Sequence, residues 1–397
     1  MSKELMYEEI SPYVFVTKLA GFEHSEYIQS YATIEPVDPT DIPMVQAKNI
    51  RNGCFVEKYD WYIKEEISNA LPRSILDKRC ILIPYVGSNL GEVGIFPNKY
   101  RCHLASNIAK VELNSSNYLL EYMMYYMQSP VGQSYLFQAK QGSSQPNITM
   151  ESIRKTQIIK RPIEEQRKIV GILGSIDAQI QRNNAMVHKL QVLGQAIFNK
   201  FFATESTVVS LLDFPYIQIL KPGIIQFDGA KHYIATAELE GEKLNFDAPL
   251  IEYATRENRA NMQPIKNSVW FAKMKNSVKH IYISSLDEYL MENYIFSTGF
   301  CGIKCDEIVF EYMINYLNLS YFENEKNILS HGATMEGVNN EDLKSFKIHL
   351  PSKDALIDFH NKTQNIYQYI SKINLMSYQL TRLKEKLLPL LINGQLQ

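Results

Sequence analysis

Residues 121–127 read EYMMYYM and residues 311–317 read EYMINYL. Glu121, Tyr122, Met123 and Tyr126 return as Glu311, Tyr312, Met313 and Tyr316, 190 positions further on. The offset persists outward from this core. QGSSQPNITMESIRKTQII (141–159) lies against HGATMEGVNNEDLKSFKIH (331–349), with Gly142 on Gly332, Ile148 on Val338, Ile153 on Leu343 and Ile158 on Ile348. Farther along, Ile169 meets Phe359, Ile176 meets Ile366, Ile180 meets Ile370, Leu190 meets Leu380, Leu193 meets Leu383 and Ile197 meets Leu387. Upstream, IPMVQAKNIRNG (42–53) resembles HYIATAELEG (232–241), and CILIPYV (80–86) resembles SVWFAKM (268–274). Chance produces one such heptapeptide, but it does not hold one offset from residue 121 to residue 197. The chain therefore reads as two copies of one unit, about 1–202 and 203–397. This period is far above the roughly 20–50 residues of a solenoid repeat. Two large copies imply a pseudo-dyad, the geometry of a dimer made from a single polypeptide.

Each copy opens with short β-type runs broken by turn residues: IPMVQAKNI, CILIPYVGS and EVGIF in the first, YIATAEL, VWFAKM and HIYIS in the second. Helical runs (YLLEYMMYYMQS, IVFEYMINYLN) sit among them, so mixed α+β is expected. The tails differ in kind. From Glu164 to Phe202 there is no proline, and Ile169, Ile172, Ile176, Met186, Leu190, Leu193 and Ile197 fall at alternate spacings of three and four. Asn183 takes an a-type position, where a polar residue sets register at some cost in stability. The second tail repeats the pattern with Phe359, Ile366, Tyr369, Ile373, Met376, Leu380, Leu383, Leu387 and Leu390. A helix of this length reaches roughly 58 Å, and its stripe needs a partner. A dyad perpendicular to the two axes makes the pair an antiparallel coiled coil. The expected fold is thus α+β and pseudo-twofold. Two similar α/β heads (1–160 and 205–350) are separated by two long helices (161–204 and 351–397).

Composition narrows the class. With 45% apolar and 21% charged residues, a chain of 397 residues supports ordinary cores, which argues against disorder. No apolar run approaches the roughly 20 residues of a membrane span, and MSKELMYEEI lacks the apolar region of a secretory signal. Cys54, Cys80, Cys102, Cys301 and Cys305 are odd in number and without CxxC spacing, so reduced thiols in a cytoplasmic protein are expected. CGIKC (301–305) lacks a second ligand pair for a metal. A formal charge of −2 means that any nucleic-acid binding needs positive charge segregated onto one face, or phosphate contacts supplied by a partner. Catalytic signatures are missing. There is no Pro-Pro pair for an amino-methyltransferase loop and no GxxxxGK[ST], and VGSNLGEVG (86–94) fits no cofactor template. Neither a catalytic residue nor a metal site is expected in this chain.

RPIEEQRKIVGILGSIDAQIQRNNAMVHKLQVLGQAIFNKFF (161–202) has a proline, an acidic-acidic-Gln triplet, and a helix opening KIV and carrying SIDAQI. It resembles the first conserved region of specificity (S) subunits of type I restriction–modification systems. The second tail, LPSKDALIDFHNKTQNIYQYISKI onward, resembles the second conserved region, but Ala355–Leu356 stand near the place of Glu165–Gln166. The resemblance covers nearly the whole chain and implies two target-recognition domains, each reading one half of a split double-stranded DNA site, with the paired helices as spacer. It implies two DNA methyltransferase (modification) subunits as partners, restriction motor-nuclease subunits that join them, and no chemistry in this chain. S-adenosylmethionine would belong to the methyltransferase, and ATP and Mg to any restriction subunit. Two alternatives stand beside it: the specificity subunit of a related type II system, and a coiled-coil scaffold whose heads bind proteins. Protection of two separated half-sites on DNA excludes the scaffold.

Bases are read by Arg, Lys, Asn and Gln, while basic and hydroxyl groups hold phosphates. On that chemistry the DNA-binding candidates in the first head are Lys48, Asn49, Arg51, Lys99, Arg101, Lys140, Gln141, Ser143 and Ser144. In the second head they are Lys231, Arg256, Arg259, Lys273, Lys275, Lys279 and Thr334. Taken singly, each fits solvated surface equally well. Tyr122, Tyr126, Tyr312 and Tyr316 recur at helical spacing and read as core. The spacer contacts are expected at Ile169, Ile176, Asn183, Leu190, Leu193 and Ile197 against Ile366, Ile373, Leu380, Leu383 and Leu387.

Overall fold

The structure is a computed structural model that describes residues 5–137, 148–203, 207–246, 248–332 and 336–396. The chain forms two compact units, Met1–Ala178 with Thr381–Gln397, and Gln179–Leu380. Each unit takes in part of both long helices.

In the first unit, Tyr7–Glu9 and Gln157–Ile159 pair as an antiparallel ribbon. A four-stranded antiparallel sheet has the order Val14–Lys18, Ile108–Leu113, Cys80–Pro84, Gly94–Phe96. A mixed sheet has the order Tyr62–Ile63, Ile42–Val45, Cys102–Leu104, Ile75–Leu76, with its two central strands parallel. The run CILIP explains how these layers join. A strand with both faces covered reads as continuously apolar, and every residue of Cys80–Pro84 is buried. Its side chains alternate. Ile81 and Ile83 enter a core with Tyr122, Met123 and Tyr126, whereas Cys80 and Leu82 enter a second core with Val45, Phe96 and Leu104.

The second unit repeats this plan strand for strand. Its ribbon is Val208–Ser210 with Lys347–His349. Its antiparallel sheet runs Ile217–Ile219, Phe300–Cys305, Ser268–Ala272, His280–Ile283, and its mixed sheet runs Leu250–Glu252, Ala230–Ile234, Tyr294–Ser297, Ala260–Met262. SVWFA splits as CILIP does: Val269 and Phe271 face one core, Trp270 and Ala272 another. The repeat extends to single hydrogen bonds. The Tyr122 hydroxyl donates to the Ile159 carbonyl (3.0 Å), and the Tyr312 hydroxyl to that of His349 (2.6 Å), tying helix Leu120–Gln128 or Phe310–Leu317 to its ribbon. All four repeated tyrosines are buried.

The two long helices are Ile163–Phe202 and Lys353–Ile392, 40 residues each. Within each unit their segments run antiparallel. In the first unit Arg161 donates to the Ile392 carbonyl (2.7 Å) and Lys384 pairs with Asp177 (2.8 Å). In the second, Asn183 donates to Ser377 Oγ (3.0 Å), while Phe198 and Phe201 pack on Phe359 at ring-centre distances of 5.9 and 5.6 Å. Ile169, Ile176, Asn183 and Ile373 are buried in the seam, and Leu190, Ile197, Ile366, Leu380 and Leu387 are half-buried. Two expected seam residues are not there. Leu193 is 49% exposed and Leu383 is 45% exposed. Gly194 takes the inward position instead, because the Tyr367 ring fills the space: a Cβ at 194 would lie 2.3 Å from the Tyr367 hydroxyl. Among the described residues no helix is long and apolar enough to cross a membrane.

Candidate nucleic-acid interface

The first head commits its candidate cations to neighbours. Lys48 pairs with Asp60, and Lys99 pairs with Glu57 at 2.6 Å. Arg101 donates to Asn69 Oδ1 (2.6 Å) and Ser68 Oγ (2.9 Å), with Glu65 at 3.6 Å. Arg51 Nε donates to the Lys48 carbonyl. Asn49 is buried at the end of a short 3-10 turn, where its side chain builds the loop rather than reaching outward. Its Oδ1 accepts from the Gln46 amide, and its Nδ2 donates to the Val56 and Lys58 carbonyls, all at 2.8 Å. Burial holds the Lys48 ammonium below the ordinary lysine range, and the charges of Lys58 and Arg51 add to this. Lys140, Gln141, Ser143, Ser144 and, in the second head, Thr334 lie outside the described residues.

The second head sorts its candidates into two groups. Where the strands Ala230–Ile234 and Leu250–Glu252 of the mixed sheet pair, Lys231 sits over the Phe227 ring (5.0 Å) and the Arg256 guanidinium over the Tyr253 ring (4.0 Å), and the two rings touch edge to face. Such cation–aromatic pairs are worth roughly 0.5–1 kcal/mol at exposed sites. The other group is a rim where several strand ends meet. The Lys273 amide donates to the Gly299 carbonyl (2.9 Å), the Thr298 amide to that of Arg259 (2.8 Å), and the Val338 amide to that of Lys273 (2.9 Å). Lys279 Nζ donates to the Thr236 carbonyl (2.6 Å), and Lys275 pairs with Glu336. Gly299 lets the Arg259 guanidinium lie close, since a Cβ there would stand 3.2 Å from it. Burial lowers the pKa of Lys273, and the Arg259 charge lowers it further.

The first head has the same backbone frame with other chemistry. The Tyr85 amide donates to the Asn107 carbonyl (3.1 Å) and the Ile148 amide to that of Tyr85 (3.3 Å), so Tyr85 stands where the second head has Lys273. Lys18 lies over the Tyr85 ring at 4.6 Å. Together with Val86, Ile148, Thr149 and Met150 these two residues line a recess of about 280 Å³. Lys18 and Tyr85 escaped the reading of the sequence. The match of CILIPYV to SVWFAKM already sets Tyr85 against Lys273, whereas nothing in the sequence marks Lys18.

Gln166, noticed in the sequence only as part of its triplet, has a positioning role. It is fully buried, accepts from the Leu119 amide (2.8 Å), and donates to the carbonyls of Asn117 (2.8 Å) and Arg161 (2.9 Å). It thereby holds the start of helix Leu120–Gln128 against the first long helix. Leu356, fully buried, stands at the matching place in the second unit, where a 3-10 turn at Glu307–Val309 leads into the helix.

Other buried ionisable groups pair with one another. Glu311 meets His360 at 2.7 Å, and Glu323 lies between His280 (2.9 Å) and Lys326 (2.8 Å). Burial raises the Glu311 pKa above the usual carboxylate range. Burial also pushes the Cys301 thiol up to about 12, well away from a reactive thiolate. Among the described residues no group of three or more His, Cys, Asp or Glu could hold a metal ion.

Residues 24–191 match the family model described as the type I restriction modification DNA specificity domain. A protein of Methanocaldococcus jannaschii named as a type I restriction enzyme MjaX specificity subunit is 22% identical over 345 residues, spanning 80% of this chain and 78% of that protein. Among solved structures, the S subunit of a type I restriction–modification system from M. genitalium superposes with a TM-score of 0.54 at 13% identity, over 98% of this chain and 96% of that one. The last likeness is one of fold.

Proposed function

We propose, from the premise that this chain belongs to the specificity subunits of type I restriction–modification systems, that it reads a bipartite double-stranded DNA sequence and brings the modifying enzyme to it. The observation that carries the reading is the duplicated head. One chain builds the same two sheets, ribbon and packed helix twice, with different side chains at the equivalent rims. A duplicated frame with divergent rim chemistry suits two half-sites of different sequence.

The chain itself would do no chemistry, and the methyl donor would be bound by the methyltransferase partner. ATP and Mg would be needed only by restriction subunits joining the complex. A cytoplasmic location follows from that role. Two methyltransferase copies fit the helices. Besides the seam, each helix carries a second apolar stripe at seven-residue steps: Met186 and Leu193 on the first, Tyr369, Met376 and Leu383 on the second, all exposed. Met186 matches Met376 and Leu193 matches Leu383 at the 190-residue offset, so the stripes offer two equivalent docking faces.

Methylome sequencing of cells that carry this chain with its matched methyltransferase tests the proposal. The expected result is one motif in two parts with a constant gap, lost when the chain is deleted. A continuous motif, or modification that persists without the chain, refutes it.

A further inference from the structure

The formal charge of −2 leaves little general attraction for DNA, so the placing of positive charge decides where the duplex is gripped. In the first head Lys48, Lys99 and Arg101 each face a carboxylate. The rim of the second head is different. Backbone bonds at Thr298 and Gly299 bring Arg259 and Lys273 to one rim, the Lys279 ammonium bonds to the Thr236 carbonyl beside Gly299, and Lys275 follows two residues after Lys273. Among the described residues no carboxylate pairs with Arg259, Lys273 or Lys279, and Glu336 meets only Lys275. Like charges held close without a counter-charge repel, and an anion placed between them relieves that repulsion. The Lys275–Glu336 pair is partly exposed, and such solvent-screened pairs hold weakly, so a phosphate can displace the carboxylate.

We propose that this rim is a phosphate clamp. In the second head Arg259, Lys273, Lys275 and Lys279 hold the DNA backbone beside the half-site that this head reads. At the matching place the first head has Tyr85 instead of Lys273, and its Lys48, Lys99 and Arg101 are paired with carboxylates. The proposal rests on the DNA-reading role and deepens it. It assigns the salt-dependent part of binding mainly to one end of the site. Gly299 is a positioning residue, since it leaves room for Arg259.

The test measures DNA affinity of the full complex of this chain with its methyltransferase, using the bipartite duplex found by methylome sequencing, from 50 to 200 mM salt. Each lost phosphate contact flattens the slope of log K against log salt by about 0.9. Lys273→Gln with Lys275→Gln should therefore flatten it by about 2, with no change in discrimination against mismatched half-sites, because phosphate contacts carry no base information. Lys273→Arg with Lys275→Arg should keep the wild-type slope. Lys99→Gln with Arg101→Gln should change it less than the second-head pair. If Lys273→Gln disturbs folding, seen as a lowered melting temperature, Lys275→Gln with Lys279→Gln serves in its place. An unchanged slope in a folded glutamine variant overturns the clamp, and so does an equal effect from the first-head pair. A wild-type complex that discriminates no bipartite duplex from random DNA refutes the reading of the chain itself, a result separate from failure of the clamp.

Discussion

Gln166 gives the sharpest test of how the first head is joined to its long helix. Its amide makes three hydrogen bonds of 2.8–2.9 Å in a fully buried site, one of them to the amide at the start of helix Leu120–Gln128. Gln166→Ala strands the Leu119 N–H and two carbonyls. Each buried group left without a partner costs roughly 1–3 kcal/mol. Water entering the gap recovers part of that, so a net loss of about 3 kcal/mol is expected. In a unit of roughly 200 residues this lowers Tm by about 6–12 °C. Gln166→Leu fills the space yet strands the same groups, so it should lose nearly as much. That separates hydrogen bonding from packing. Thermal unfolding of the chain, with amide exchange followed in a peptide spanning 115–128, reads both effects, and the Leu119 amide should lose protection in both variants. Wild-type stability in Gln166→Leu, or a Leu119 amide as protected as before, would show that the clamp on this helix contributes nothing.

Three other outcomes are expected. Gly194→Ala should be destabilising although alanine favours helix by about 1 kcal/mol, because its Cβ meets the Tyr367 hydroxyl and displaces the 2.9 Å bond from Tyr367 to Asn315; the cost should shrink in Gly194→Ala/Tyr367→Phe, and simple additivity in urea melts would refute the contact. His103 is buried, and burial depresses its pKa to about 4. The unfolded chain therefore binds this proton first as the pH drops below the ordinary value of 6.5, and about 3 kcal/mol of stability should be lost between there and about pH 4. His103→Gln should abolish that share of the acid sensitivity, and an unaltered stability profile would count against it. Inserting four residues after Asn183 should change the gap of the methylated motif, and an unchanged gap would remove the helices as a spacer.

Much of this architecture was readable before any coordinates. The 190-residue offset placed Ile148 on Val338, and both amides make the same hydrogen bond to the same strand end, Ile148 to Tyr85 and Val338 to Lys273. CILIP and SVWFA were recognisable as equivalent strands because two-sided burial demands continuous apolar sequence. The seam was read less well. Heptad spacing of large aliphatic residues selected Leu193 and Leu383, yet each helix has two apolar stripes, and the inward one includes Gly194 and Thr363. Bulk alone does not tell a seam from an exposed docking face. The candidate interface was legible as a set of residues but not as groups. Lys99 meets Glu57 and Arg101 meets Glu65 only through folding, whereas no linear pattern announces that Arg259 and Lys273 share a rim.

The first unit's core is closed by Leu388, Leu391 and Ile392, and Arg161 bonds to the Ile392 carbonyl. On the ribosome the head made earliest is thus the one finished last. Its apolar surface around Ile169 and Leu173 stays uncovered while residues 179–380 are synthesised. A nascent or prematurely terminated chain keeps that apolar surface open to aggregation and to chaperones until the last residues of the helix are made.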